Sequence, residues 1–262
     1  MKLAKELDIP LSFHEEDPSL VVNPGINHGK ISKTLGIVGA LKEAEEVMAA
    51  RDCMLAISTG AKINIQHVST GHTVDIIRFA KKMGGNITAE LSPHHFSITE
   101  ESVLVHKSYA KMNPPLRTEE DRLKLIDGLI DDTIEIIATD HAPHSKEEKE
   151  RDLLQAPSGI IGLETALSLG ITNLVNKNFI SMTKLLEKMT INPAKLYNLN
   201  AGSIYEGAIA DIVIFNPDEE WIVKDFYSKS SNTPFVGEKL FGKVKYTICN
   251  GKIVYHDIIN PQ

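Results

Sequence analysis

Seven side chains of the kinds that bind metal or move protons recur at one kind of position. His14 follows the apolar run "IPLSF", and His67 follows "INIQ". His94 and His95 follow "ITAELSP", and Asp140, His141 and His144 follow "IEIIAT". Histidine and carboxylate together suit zinc or a similar divalent ion. Asp140 makes the sharpest case. An aspartate after Ile136, Ile137 and Ala138 needs a partner, because a buried charge costs several kcal/mol unless it is paired or metal-bound. Taken singly, His14 with Glu15, Glu16 and Asp17 reads more readily as the start of a charged loop than as a ligand, and His67 stands on the same footing. His94 and His95 are adjacent and point in different directions, so at most one faces a site and a structural role serves either. His28, His72, His106 and His256 fall in loop or helix contexts, read as solvated and receive no role.

Two further stretches could orient a substrate. In "YAKMNPPLR" the pair Pro114–Pro115 stiffens a loop and favours an extended Asn113, whose amide suits a carbonyl or amide ligand. An ordinary turn with Asn113 as its cap fits as well. In "QAPSGIIGLE" Gly159 and Gly162 allow close backbone approach, or simply end a loop before the next helix.

The elements that must position these groups alternate along the chain. Apolar runs at 9–14, 62–68, 86–91 and 133–139 read as strands. Residues 34–59, "TVDIIRFAKKMG" and "TEEDRLKLIDGLID" have helical spacing, the last with a capping-box start at Thr118. A long helical region is expected from about 162 to 198. Strand–helix alternation at this spacing implies βαβ units and a parallel sheet, whose functional groups gather at the carboxyl ends of the strands. From Asn200 the pattern changes to short strands, with a hairpin signal at Asn250–Gly251. The expected organisation is therefore an α/β domain over 1–199 and a small β portion over 200–262.

Composition narrows the class. The 262 residues carry a net charge of −7 without a basic stripe, which argues against nucleic-acid binding. No apolar run approaches the roughly 18 residues of a membrane span, and the amino terminus reads as a helix entering a strand, not as a signal peptide. Only two cysteines occur, Cys53 and Cys249, without a CxxC pattern, so a cytoplasmic setting is expected.

Taken together, "FHEED", "NIQHVST", "TAELSPHH", "KMNPPLR", "ATDHAPHSKEEK", "GIIGLETAL" and "SNTPFVGEKLFGKV" closely resemble the dihydroorotase family of the amidohydrolase superfamily. The resemblance runs from about residue 3 to residue 255. It implies a distorted (β/α)₈ TIM-type barrel with an attached β-sandwich, holding one or two zinc ions. His14 and His67 would match the metal ligands ending strands five and six. Asp140 would match the strand-eight aspartate that binds metal and shuttles the proton. His144 would contact the substrate carboxylate, Asn113 the pyrimidine ring, and the Ser158–Gly159 backbone the same ring. Here "APSG" replaces the more usual "APFG". The implied reaction is reversible hydrolysis of dihydroorotate to N-carbamoyl-aspartate in pyrimidine synthesis.

The family's first half carries an Asp-x-His-x-His-x-Arg segment, and no His-x-His occurs here. The expectation is a piece holding strands five to eight and most of the sandwich, inactive by itself. Hydrolysis of another cyclic amide, a hydantoin or allantoin, is the first alternative. A non-catalytic half-barrel that docks on another protein is the second. In the full-length form the resemblance implies a homodimer or a complex with aspartate carbamoyltransferase.

Overall fold

A computed structural model describes residues 1–257. Four strands, β1 (Leu11–Phe13), β2 (Ile63–Ile65), β3 (Ile87–Leu91) and β4 (Ile136–Ile137), form one parallel sheet in the order β1-β2-β3-β4. The register sets Phe13 opposite Ile65, Ile65 opposite Ala89, and Leu91 opposite Ile137. β1 and β2 therefore end level with Ala89, and β3 and β4 run two residues further, to Leu91 and Ile137. Ile63, Ile65, Ala89 and Leu91 are buried without exposure, as expected of parallel strands covered on both faces.

Helices link the strands. The helix Gly71–Lys82 is capped by Thr70, whose hydroxyl accepts from the Thr73 N–H. The helix Glu119–Ile130 begins in the Thr118–Asp121 capping box that its sequence predicts. The helix expected over 34–59 is helical only from Glu43 to Thr59, behind a short separate turn of helix at Lys30–Thr34. Two glycines explain the break. Gly36 is left-handed at φ +68°, and at Gly39 a Cβ would lie 2.5 Å from the Ile26 carbonyl. Ala40 then bridges to Val21 and Asn27.

The chain divides into two compact units, one of Met1–Glu164 with Asp225–Pro234, the other of Thr165–Lys224 with Phe235 onward. The boundary expected at 199/200 falls inside the second unit. There the three strands β5 (Ile212–Ile222), β6 (Lys239–Cys249) and β7 (Lys252–His256) form an antiparallel sheet in that order. The β6–β7 hairpin turns at Asn250 and Gly251, both left-handed, as the sequence predicts. The helical region expected over 162–198 is interrupted: Ala166–Gly170 continues as a π-helical turn to Val175, and separate helices follow at Met182–Met189 and Ile191–Leu196. Packing on β6 accounts for the first piece. Ser168 donates to the Gly242 carbonyl at 2.7 Å and accepts from the Trp221 indole at 3.0 Å. A Cβ at Gly242 would lie 2.4 Å from Ile171 Cδ1.

Among the described residues no helix is long and apolar enough to cross a membrane.

Candidate active site

The residues just past β1 and β2 meet. His14 Nδ1 lies 3.1 Å from His67 Nε2, with the rings edge to face at 4.8 Å between centroids. His67 is buried and left-handed at φ +31°. Burial holds its imidazole below the usual histidine range, the neighbouring His14 charge lowers it further, and the Asp140 carboxylate opposes both.

Asn113 joins this pair from the Pro-rich loop. Its Nδ2 donates to Glu16 Oε2 at 2.9 Å and stands 3.5 Å from His14 Nε2. Its Oδ1 is shielded from solvent and accepts no hydrogen bond among the described residues. The amide is thus fixed through its nitrogen, while its buried oxygen is unpaired among the described residues. The Asn113–Pro114 peptide is cis.

Asp140 lies elsewhere in character than its sequence context suggests. β4 ends at Ile137, three residues earlier, and Asp140 is exposed in a left-handed conformation at φ +48°. Its charge is felt by His67 and by Glu90. Among the described residues no three His, Cys, Asp or Glu side chains gather closely enough to hold one ion. His14 and His67 are brought together; Asp140 is not drawn into a finished ligand set with them. The two imidazole nitrogens do fit a metal edge: ligands of tetrahedral zinc at ~2.0–2.1 Å stand about 3.3 Å apart. Among the described residues His67 Nδ1 is buried without a hydrogen-bond partner, at the position from which ligating histidines normally donate to a supporting group.

A second cluster surrounds His144. Its Nε2 donates to the Ser158 carbonyl at 2.9 Å, and its Nδ1 lies 3.9 Å from Glu148. Gly159 is left-handed at φ +111°, and a Cβ there would stand 2.5 Å from the Ala142 Cβ, so glycine is required. The Gly159 N–H donates to the Lys111 carbonyl, and its C=O accepts from Lys149 and Asn232. Both polar groups of Gly159 are therefore used inside the fold.

His141 and His95 are tied to main-chain groups of the fold. His141 Nδ1 accepts the Gly162 N–H at 3.1 Å, within a bridge between His141 and Ile160. His94 and His95 are both buried, ring centroids 4.4 Å apart. His95 donates to the Pro114 carbonyl, which braces the Asn113 loop, and burial pushes its pKa down to about 3.

Four supporting residues escaped the sequence reading. Asn232 donates to the carbonyls of Ala142 and Gly159 and accepts the His144 N–H. Arg117 donates to Ser69 Oγ, Asn27 Oδ1 and the Ala40 carbonyl, tying three loops at the site's base. Lys111 and Lys149 are buried lysines that donate to main-chain carbonyls.

Lys149 gives a pH signature. Burial pushes its ammonium down to about 8 from an ordinary 10.5, with the Lys111 charge adding to the effect. Between those values the unfolded chain binds a proton that the folded chain has released. Stability from this group therefore rises with pH across that window. Urea unfolding is expected to show the rise between about pH 8 and 10 and to lose it in Lys149→Met. An equal pH slope in the variant would refute the assignment.

Comparison with known proteins fixes the class. Residues 1–254 match the amidohydrolase family, and the chain belongs to that family. Among curated relatives, the dihydroorotase of Clostridioides difficile (strain 630) is 68% identical over 253 residues, covering 97% of this chain and 60% of that enzyme. The dihydroorotase of Lactococcus lactis subsp. lactis (strain IL1403) is 52% identical over 256 residues, with 97% and 60% covered. Among solved structures, the L-hydantoinase (dihydropyrimidinase) of Arthrobacter aurescens superposes with a TM-score of 0.84 at 25% identity, over 97% of this chain and 59% of that one. The chain thus spans about three fifths of the length of the relatives it matches. Its parallel sheet is the sheet of the (β/α)₈ amidohydrolases.

Proposed function

We propose that this chain supplies a substrate- and metal-binding part of a dihydroorotase, which hydrolyses dihydroorotate to N-carbamoyl-aspartate and closes the ring in reverse. The observation that carries this reading is Asn113, anchored through Nδ2 to Glu16 and His14, with a buried Oδ1 that is unpaired among the described residues. An acceptor so placed suits a ring N–H. The relatives named dihydroorotase at 52–68% identity support the same reading. The free thiols of Cys53 and Cys249 fit a cytoplasmic setting.

His14 and His67 would hold a zinc ion, with Asp140 completing the set. Zinc bound there supplies a water acidified from about 15.7 towards 7 and a polarised amide carbonyl. The chain's own groups do the rest. Asp140 takes up the proton released by the attacking water and delivers it to the amide nitrogen as the C–N bond breaks. Asn113 Oδ1 accepts a ring N–H. His144, braced by Ser158, meets the substrate carboxylate, a group that hydantoins lack.

The test is a chimera joining this chain to the residues of the Clostridioides difficile dihydroorotase that lie outside the match. It is expected to hydrolyse dihydroorotate, to lose turnover on chelation and to regain it with zinc. Turnover of hydantoin but not of dihydroorotate would overturn the assignment.

A further inference from the structure

Residues 153–159 have neither helix nor strand to absorb their carbonyl groups. Five of those carbonyls point at two buried ammonium groups instead. Lys111 Nζ donates to Leu153, Leu154 and Ala156 at 2.9, 3.1 and 2.7 Å. Lys149 Nζ donates to Pro157 and Gly159 at 2.9 and 3.1 Å. Among the described residues neither lysine has a carboxylate partner, so carbonyl dipoles alone compensate two desolvated charges.

The donor counts differ in a useful way. Three carbonyls use every N–H of the Lys111 ammonium. Two carbonyls can be served by Lys149 even as a neutral amine. The pair can therefore shed one proton without releasing the loop. The two lysines also come from the right places. Lys111 lies two residues before Asn113, and its own carbonyl receives the Gly159 N–H at 2.8 Å. Lys149 lies five residues after His144, and its own carbonyl accepts from Ser108. The stretch they hold contains Ser158, on which His144 rests.

We propose that Lys111 and Lys149 are positioning residues that set the spacing of Asn113, His144 and Ser158, the three groups a ring bearing a carboxylate must span. This rests on the reading of those three as substrate contacts. The lysines touch no substrate. Their loss weakens binding more than it slows the chemical step.

Two measurements separate the possibilities. In the present chain, Lys149→Met and the harsher Lys111→Met are followed by amide hydrogen exchange. Exchange at Gly159 and through 153–159 is expected to speed up by about tenfold or more, with Val74 and Ile77 unchanged. Lys149→Met keeps the three Lys111 bonds, and so reports even where Lys111→Met does not fold. In the chimera the same substitution is expected to raise KM about tenfold with kcat within about twofold. Unchanged exchange at 153–159 would overturn the proposal. So would kcat falling as far as kcat/KM. Faster exchange with KM unmoved would instead remove Ser158 from the substrate contacts, and with it the functional half of the proposal. A chimera inactive on dihydroorotate would defeat the functional reading, while the exchange result would still decide what holds the loop.

Discussion

Asp140→Asn in the chimera is expected to lower kcat by about 10²–10⁴-fold while leaving stability within about 0.5 kcal/mol. The two halves of this expectation come from different facts. Asparagine has the shape of aspartate but cannot take up a proton, so a group that must receive one and return it is disabled at both steps. The fold, by contrast, asks little of the carboxylate. Asp140 is exposed, and its left-handed φ of +48° is one that asparagine adopts readily. Stopped-flow turnover together with urea unfolding measures both. Normal turnover in the Asn variant would remove Asp140 from the proton path.

Arg117→Met is expected to destabilise the present chain by about 3–5 kcal/mol, the usual cost of breaking a buried charge system from one side. Burial lowers the pKa of this guanidinium, and the carboxylates of Glu45 and Asp121 oppose that shift. Glu45 accepts from the Ser69 and Thr70 N–H groups, and Arg117 donates to Ser69 Oγ. Removing the arginine takes away the positive charge that buried Glu45 faces, and one of the bonds that hold Ser69, two residues after His67. The loss should therefore reach the site as well as the fold. A Lys42→Met control removes the half-exposed partner of Asp121 and should cost far less. Equal destabilisation by the two substitutions, read from urea midpoints, would contradict the role given to Arg117.

Much of this architecture was legible because apolar runs and ligand-type residues alternate. Phe13 with His14 and Ile65 with His67 each mark the end of a strand, and the two histidines that follow do meet. The places where the reading failed share a cause: the deciding contact lies far away in sequence. Periodicity from Leu35 to Leu41 suggests helix, yet the approach of Gly39 to Ile26 forbids it. Asp140 looked buried because three apolar residues precede it, but β4 stops at Ile137 and the chain turns outward. Lys149 sits in "SKEEK", where nothing local marks it for burial. It is buried only because the carbonyls of Pro157 and Gly159 fold over it. Asn232 carries no local signal, since its bonds to Ala142 and His144 span about 90 residues.

The path of the backbone through 225–234 limits how this protein can be cut or recombined. That stretch belongs to the unit of the parallel sheet, although the chain on either side belongs to the other unit. A shortened version ending at Glu164 would keep every candidate ligand and still forfeit the amide of Asn232 that seats His144. Exchange of the carboxy-terminal sheet between relatives would fail in the same manner unless 225–234 stayed with its own His144. Each unit is built from two separate stretches of the chain, so neither can be lifted out as one continuous segment.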